Sequence, residues 1–128
     1  MPQITANFSE AECACKGGMC CDNSMPGMDP FLMADVQEMR NILAVPLEVR
    51  SGYRCRRHNR AVRGVEDSQH LLAKAIDLAP PLGYSIETML QVVHSIPRLA
   101  AGGIGVYDDF IHVDTGHFRR WDNRTDGV

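Results

Sequence analysis

The sequence predicts an α+β domain in which a small, mainly antiparallel sheet carries two longer helices. Apolar residues recur at helical spacing in two separate runs, "DPFLMADVQEMRNIL" and "SIETMLQVVHSI". Four shorter runs, "LEVRS", "KAIDLA", "GIGVY" and "FIHVD", have strand character. Helical and strand runs are mixed along a chain of 128 residues, a length that suits one core and one domain.

Each element has a local cause. Residues 1–27 form a cysteine-containing N-terminal segment. Asp29 is placed to cap the first long helix, and Pro30 suits its first position. Leu32, Val36, Met39 and Leu43 then supply its buried stripe. "LEVRS" follows Pro46 as a short strand, and "CRRHNRAVRG" is a short helix or turn stopped at Gly64. The polar loop "VEDSQ" precedes "KAIDLA", a strand with Ile76 and Leu78 on one face and Ala75, Asp77 and Ala79 on the other. Ser85 caps the second long helix and Pro97 follows its end. "GIGVY" and "FIHVD" pair as a hairpin around Asp108 and Asp109. In the last strand Ile111 and Val113 share one face, and Phe110, His112 and Asp114 the other. The tail "RRWDNRTDGV" is polar and is expected to fray apart from Trp121, with 122–128 as its flexible end.

Composition narrows the classes of function. Hydrophobic residues make up 45% and charged residues 23%, a balance that supports a packed core and argues against disorder. The formal net charge of −3 argues against a nucleic-acid partner. No apolar run is long enough for membrane insertion. The N-terminus lacks a basic start and an apolar stretch, so no signal peptide is read and synthesis in the cytoplasm is expected. A monomer is expected. Four of the five cysteines, Cys13, Cys15, Cys20 and Cys21, cluster near the N-terminus. Free thiols, a structural zinc at those four, or a disulfide after export are the alternatives.

His70 and Asp77 pose a geometric question. Seven residues apart on a helix would lie about 10 Å apart along the axis. On one strand, an odd spacing would put them on opposite faces. Either a turn within "LLAK" brings His70 over the face that carries Asp77, or the two are unrelated. His112 likewise leaves the aliphatic side of its strand. Two imidazole nitrogens and a carboxylate oxygen at about 2.0–2.2 Å from one ion would make a three-ligand zinc site with an open position.

In order along the chain, "SGYRCRRHN", "SQHLLAKAIDL", "GGIGVY" and "FIHVD" resemble the zinc-dependent D-alanyl-D-alanine carboxypeptidase family. The resemblance runs from about Phe8 to Trp121. That family includes vancomycin-resistance D,D-dipeptidases and phage L-alanyl-D-glutamate endopeptidases, and hedgehog signalling domains share its fold. "FSEAECACKGG" is similar to the start of its short phage and bacterial branch. The resemblance implies that His70, Asp77 and His112 hold zinc. It implies that Asp109 is the acidic general base and that Arg54 binds a substrate carboxylate or carbonyl. Ser68 and Gln69 would line the metal loop. The activity implied is hydrolysis of the peptidoglycan stem peptide by a phage or prophage lytic enzyme that reaches the cell wall after release. An L-alanyl-D-glutamate endopeptidase comes first. The alternatives are a D-alanyl-D-alanine carboxypeptidase and a non-catalytic zinc-containing binding module.

Three departures from the family pattern set further expectations. Ala73 stands where the family usually has Gly, so the turn before the strand is expected to differ. Gly116 stands where an arginine is expected after the last ligand, and Arg119 or Arg120 would compensate. Asp109, three residues before His112, needs a bulge or turn at Asp108–Phe110. Without it Asp114 becomes the rival base, and its other reading is a partner that orients a ligand. His58 and His94 read as surface or packed residues, His117 as a reserve ligand, and Tyr53 and Tyr107 as packing or cleft residues. Trp121 reads as an anchor of the tail against the core.

Overall fold

The computed structural model describes residues 3–17, 27–64 and 68–125. Helix α1 spans Glu10–Cys13, α2 Pro30–Leu43, α3 Arg56–Ala61, α4 Ile86–His94 and α5 Pro97–Ala100. The strands are β1 Glu48–Ser51, β2 Ala75–Ala79, β3 Gly103–Val106, β4 Ile111–Asp114 and β5 Arg119–Asp122. They form one sheet in the order β1-β2-β4-β3-β5. Only the β3–β5 contact is parallel, so the α+β class and the mainly antiparallel sheet are as the sequence predicts.

The two long helices start where their caps demand. The Asp29 carboxylate accepts from the Phe31 N–H at 2.9 Å, and Pro30 opens α2 because a first-turn residue needs no N–H. The Ser85 hydroxyl accepts from the Thr88 N–H at 3.1 Å to open α4. Leu32, Val36 and Met39 of α2 and Met89 and Val93 of α4 share one core with Ile76, Leu78, Ile104, Ile111 and Val113 of the sheet. Each such side chain contributes about 1.5–3 kcal/mol by leaving water. The helices therefore claim one sheet face, and the polar residues of β2 and β4 are left for the other.

Two elements go beyond the sequence reading. Pro97 follows α4 as expected but also occupies the first turn of α5, since proline can open a helix as well as stop one. Arg119–Asp122, expected to fray, is a strand because β3 offers an unpaired edge to it. Beyond it, Asn123 N–H bonds Val106 O at 2.8 Å, and Thr125 bonds the Asp108 carboxylate.

Residues opposite each other in a sheet share a face. The register thus sets Ser51, Asp77, His112, Gly105 and Trp121 in one row across all five strands. Ala75, Asp114, Gly103 and Arg119 form the next row on that face. The glycines are required here. A Cβ on Gly105 would collide with the Trp121 ring, and one on Gly103 with the Asp114 carboxylate.

Candidate active site

The turn needed between His70 and Asp77 is a one-turn 3-10 helix, Gln69–Leu72. Ser68 Oγ accepts from the His70 N–H at 3.1 Å to open it. Ala73 closes it in the left-handed region at φ 58°. Glycine would adopt that conformation without strain, and alanine takes it here. The chain then enters β2 with Asp77 beneath the His70 ring.

His70, Asp77 and His112 are buried, at 1%, 9% and 7% exposure, and their nearest ligand atoms lie within 4.8 Å of one another. His70 Nε2 is 3.2 Å from Asp77 Oδ1, and His112 Nδ1 is 3.0 Å from the same oxygen. The opposite ring nitrogens decide what these contacts are. His70 Nδ1 is 2.6 Å from Gly52 O, and a carbonyl only accepts, so Nδ1 carries the proton. His112 Nε2 is 2.6 Å from Asp114 Oδ2, and that carboxylate likewise accepts. In the neutral rings, both remaining nitrogens therefore aim lone pairs at a carboxylate oxygen. Such an arrangement holds only with a proton or a cation between the acceptors. This donor set, two imidazoles and one carboxylate, fits a divalent metal ion.

Without a cation, a proton on the rings takes its place between these acceptors. Burial pushes the Asp77 carboxyl up, but hydrogen bonds and charge from His112 and His70 outweigh it and hold it at about 2. Burial pushes His112 down, and the carboxylates of Asp114 and Asp77 on its two sides raise it overall.

Asp114 is fully buried and saturated. Besides His112, it accepts from Gly103 N at 3.1 Å, Gly116 N at 2.9 Å and Arg119 Nη2 at 2.7 Å. Burial opposes ionisation, but His112, Arg119 and Gly116 hold its carboxyl at about 2. With both oxygens engaged it is an orienting partner of His112, which removes it as rival base. Of the two arginines expected to compensate for Gly116, Arg119 reaches Asp114. A Cβ on Gly116 would sit 3.1 Å from Arg119 Nη2. Arg120 instead bonds the carbonyls of Gly102 and Ala100.

Asp109 occupies a bend between β3 and β4, outside the regular strand. It is exposed, and its carboxylate lies 3.3 Å from Arg50 Nη1. Arg50 also pairs with Glu48, which stands opposite Ala79 on the Asp77 face.

Arg54 lies beside the metal loop. Its N–H bonds His70 O at 3.1 Å, and its Nη2 donates to Ser68 Oγ at 3.3 Å. Its Nε is buried without a hydrogen-bond partner among the described residues. Burial lowers its pKa, while Asp77, Tyr107 and Cys15 oppose that shift.

Trp121 is the residue the sequence reading placed elsewhere. It lies on the site face, its ring centroid 5.0 Å from that of His112, and its Nε1 donates to Tyr107 Oη at 2.9 Å. Tyr107 stacks on Phe110 at 4.3 Å, so it serves packing and cleft together. The glycines of "GIG" were the available signal, since they open a slot for a ring on one face of β3. His117 and His94 are exposed and outside the cluster.

Of the four cysteines weighed as one alternative zinc set, two are among the described residues. Cys13 is fully buried in the hydrophobic core. Burial chiefly, with Glu12 adding and Lys16 opposing, pushes its thiol up to about 11, so it is a poor thiolate donor. Cys20 and Cys21 lie outside the described residues.

A mixed sheet that presents a His-Asp-His cluster able to hold a metal ion, beside a half-buried arginine, suits a metal-assisted hydrolase type of centre. Residues 6–114 match the peptidase M15 family, and the chain belongs to it. It is 35% identical over 109 residues to the probable peptidoglycan L,D-endopeptidase MepK of Haemophilus influenzae, covering 77% of this chain and 56% of that protein. It is 28% identical over 108 residues to the peptidoglycan L,D-endopeptidase MepK of Escherichia coli K12, covering 77% and 57%. The chain thus spans somewhat over half the length of these curated relatives. No helix among the described residues is long and apolar enough to cross a membrane.

Proposed function

We propose that this protein is a zinc metallopeptidase that hydrolyses a bond between an L- and a D-residue in the peptidoglycan stem peptide, with L-alanyl-D-glutamate as the first choice. The observation that carries the reading is the convergence of two imidazole lone pairs and the Asp77 carboxylate on one point. The relatives' names supply the substrate class and the bond type. The L-alanyl-D-glutamate bond falls within that type.

Zinc held by His70, Asp77 and His112 would acidify water and polarise a carbonyl. The protein's own groups do the rest. Asp109 takes a proton from the attacking water and passes it to the leaving amine. Its pairing with Arg50 is exposed and worth about 0–1 kcal/mol, so releasing it for this task costs little. Arg54, with a buried Nε–H unspent, donates to a substrate carboxylate or carbonyl oxygen. Trp121 and Tyr107 wall the site beside His112 and limit water there. The setting we infer, from the resemblance to the short phage branch, is a phage or prophage lytic enzyme that meets the wall after release.

The test is a digest of purified peptidoglycan, with and without chelator, read by mass spectrometry. A chelator-sensitive new amine on D-glutamate supports the proposal. Release of terminal D-alanine would make it a carboxypeptidase instead. An intact substrate, with a zinc-loaded preparation, would leave a binding module of the same fold.

A further inference from the structure

Tyr107 follows strand β3 and is half-buried, and the bonding of its hydroxyl is half complete. Trp121 Nε1 lies 2.9 Å from Tyr107 Oη, and an indole N–H only donates, so the phenol oxygen is the acceptor. A phenol also has a proton to give. Among the described residues nothing accepts it, so it is left for water or a substrate. The ring is held from its other side. It stacks on Phe110 at 4.3 Å and 11°, and the Tyr107 N–H bonds Phe110 O at 3.0 Å.

The indole is fixed in turn by the sheet. A Cβ on Gly105 would collide with Trp121 Cε2, Cζ2 and Nε1, so the nitrogen edge of that ring lies against β3. Gly105 stands opposite His112 in the register, and the indole and imidazole centroids are 5.0 Å apart. The hydroxyl is therefore one hydrogen bond from an atom seated on the row that carries Asp77 and His112. Arg54 faces the same space. Its guanidinium is within electrostatic reach of both Asp77 and Tyr107, and its buried Nε is likewise unspent.

We propose that Tyr107 is a catalytic residue whose hydroxyl donates to the scissile carbonyl oxygen as that oxygen takes on negative charge, and that Trp121 positions it. This role rests on the reading of the site as a peptidase. The phenol keeps its proton throughout, so its hydrogen bond strengthens as the charge grows. The indole contributes twice. It occupies a lone pair of the phenol oxygen, which restricts where the O–H can point. A hydroxyl that accepts a hydrogen bond is also a stronger donor, because bonds in a chain polarise one another. A donor fixed before the reaction spends nothing on reorganisation during it. Arg54 carries a full charge and suits the binding of substrate. A neutral phenol gains most once charge develops, so the two donors act at different stages.

The experiment compares Tyr107→Phe with the parent, both zinc-loaded, on soluble muropeptides. Phenylalanine keeps the ring and its stack on Phe110 and removes only the hydroxyl. The expected result is a kcat lower by about 10²–10³-fold, with KM and zinc content little changed. Trp121→Phe should lower kcat as well. Added to Tyr107→Phe it should cost little more, because the indole acts through the phenol. A second readout does not depend on activity. Trp121 is the one tryptophan of the chain, so isotope-labelled protein gives a single indole N–H resonance, which should move in Tyr107→Phe. An active parent matched by an equally fast Tyr107→Phe, a loss confined to KM, or an indole resonance that stays in place would overturn the proposal. Full additivity of the two substitutions would remove Trp121 as the positioning residue. A parent that cleaves no muropeptide fails the functional reading first, and this role with it, whereas an active parent isolates the test to Tyr107.

Discussion

Replacing Asp114 by Asn tests the lone-pair argument directly, because it keeps the shape but changes one oxygen into an amide NH2 and removes the charge paired with Arg119. The carboxylate offers Oδ1 to Gly103 N, Gly116 N and Arg119, and Oδ2 to His112 Nε2 and Arg119. Asparagine has one acceptor. Its best use is at the Oδ1 position, where two backbone N–H groups would otherwise be left buried and unpaired. The amide NH2 then faces His112 Nε2, which in the parent donates its proton to the carboxylate oxygen 2.6 Å away. Two donors would oppose each other. The imidazole escapes by moving its proton to Nδ1, the atom whose lone pair faces the metal position. Zinc binding must reverse that shift and restore the clash. A buried unsatisfied donor costs about 1–3 kcal/mol, and loss of such orienting partners commonly costs about 10–100-fold in metal affinity.

The assay is competition for zinc against a chromophoric chelator, with circular dichroism to confirm folding. Arg119→Gln is the contrast. It removes a charge from Asp114 but leaves the His112 bond, so its affinity should fall by less than about tenfold on the same scale. If Asp114→Asn bound zinc as tightly as the parent, the tautomer assignment of His112 would be wrong, and with it the geometric case for the metal.

Three other outcomes follow from the site and core. Asp109→Ala should retain zinc but lose about 10²–10⁴-fold in kcat, whereas His70→Ala should lose the ion itself. A fully active Asp109→Ala would end its assignment as base. Arg54→Ala should raise KM more than it lowers kcat, by about 10–100-fold for one charged hydrogen bond. An unchanged rate at low substrate would show that Arg54 makes no substrate contact. Asp35 bears on stability rather than catalysis. Burial, with Glu38 and Asp29, raises its carboxyl above the ordinary value despite Arg98, whose Nε lies 3.1 Å away. A carboxyl with a raised folded pKa favours folding when protonated, and that contribution is lost as pH climbs through the folded pKa. Asp35→Asn should therefore gain in unfolding midpoint relative to the parent between about pH 4 and pH 7. A gain that shrinks over that interval would contradict the sign.

Much of the architecture was legible because it rests on local rules. Asp29–Pro30 and Ser85 announce their helices in a few adjacent residues, and alternation in "KAIDLA" and "FIHVD" assigns faces before any partner strand is known. β5 was not legible for the same reason in reverse. "RRWD" carries no apolar alternation, and it becomes a strand because the open edge of β3 offers hydrogen bonds to it. Its alternation serves the site instead, with Arg119 and Trp121 on the metal face. Cys55 was equally silent, since nothing near it in sequence shows that it meets Cys15.

The candidate ligands were legible as residue types and spacing, but their suitability for a metal was not. Suitability depends on which ring nitrogen is proton-bearing, and that is set by Gly52 O for His70 and by Asp114 for His112. Gly52 is a backbone acceptor, which no side-chain motif reveals. Asp114 is visible in "HVD", but alternation alone says only that it shares a face with His112. The chain of contacts Arg119–Asp114–His112 makes it an orienting group and not a base. The same contacts explain why Gly116 stands where a larger residue was expected. A side chain there would press on Gln69, on the Arg119 guanidinium and on the Asp114 carboxylate, each about 3.0–3.1 Å from its Cβ. The departure from the family pattern thus comes with its own compensation, and a bulky residue at 116 should act on zinc affinity through Asp114.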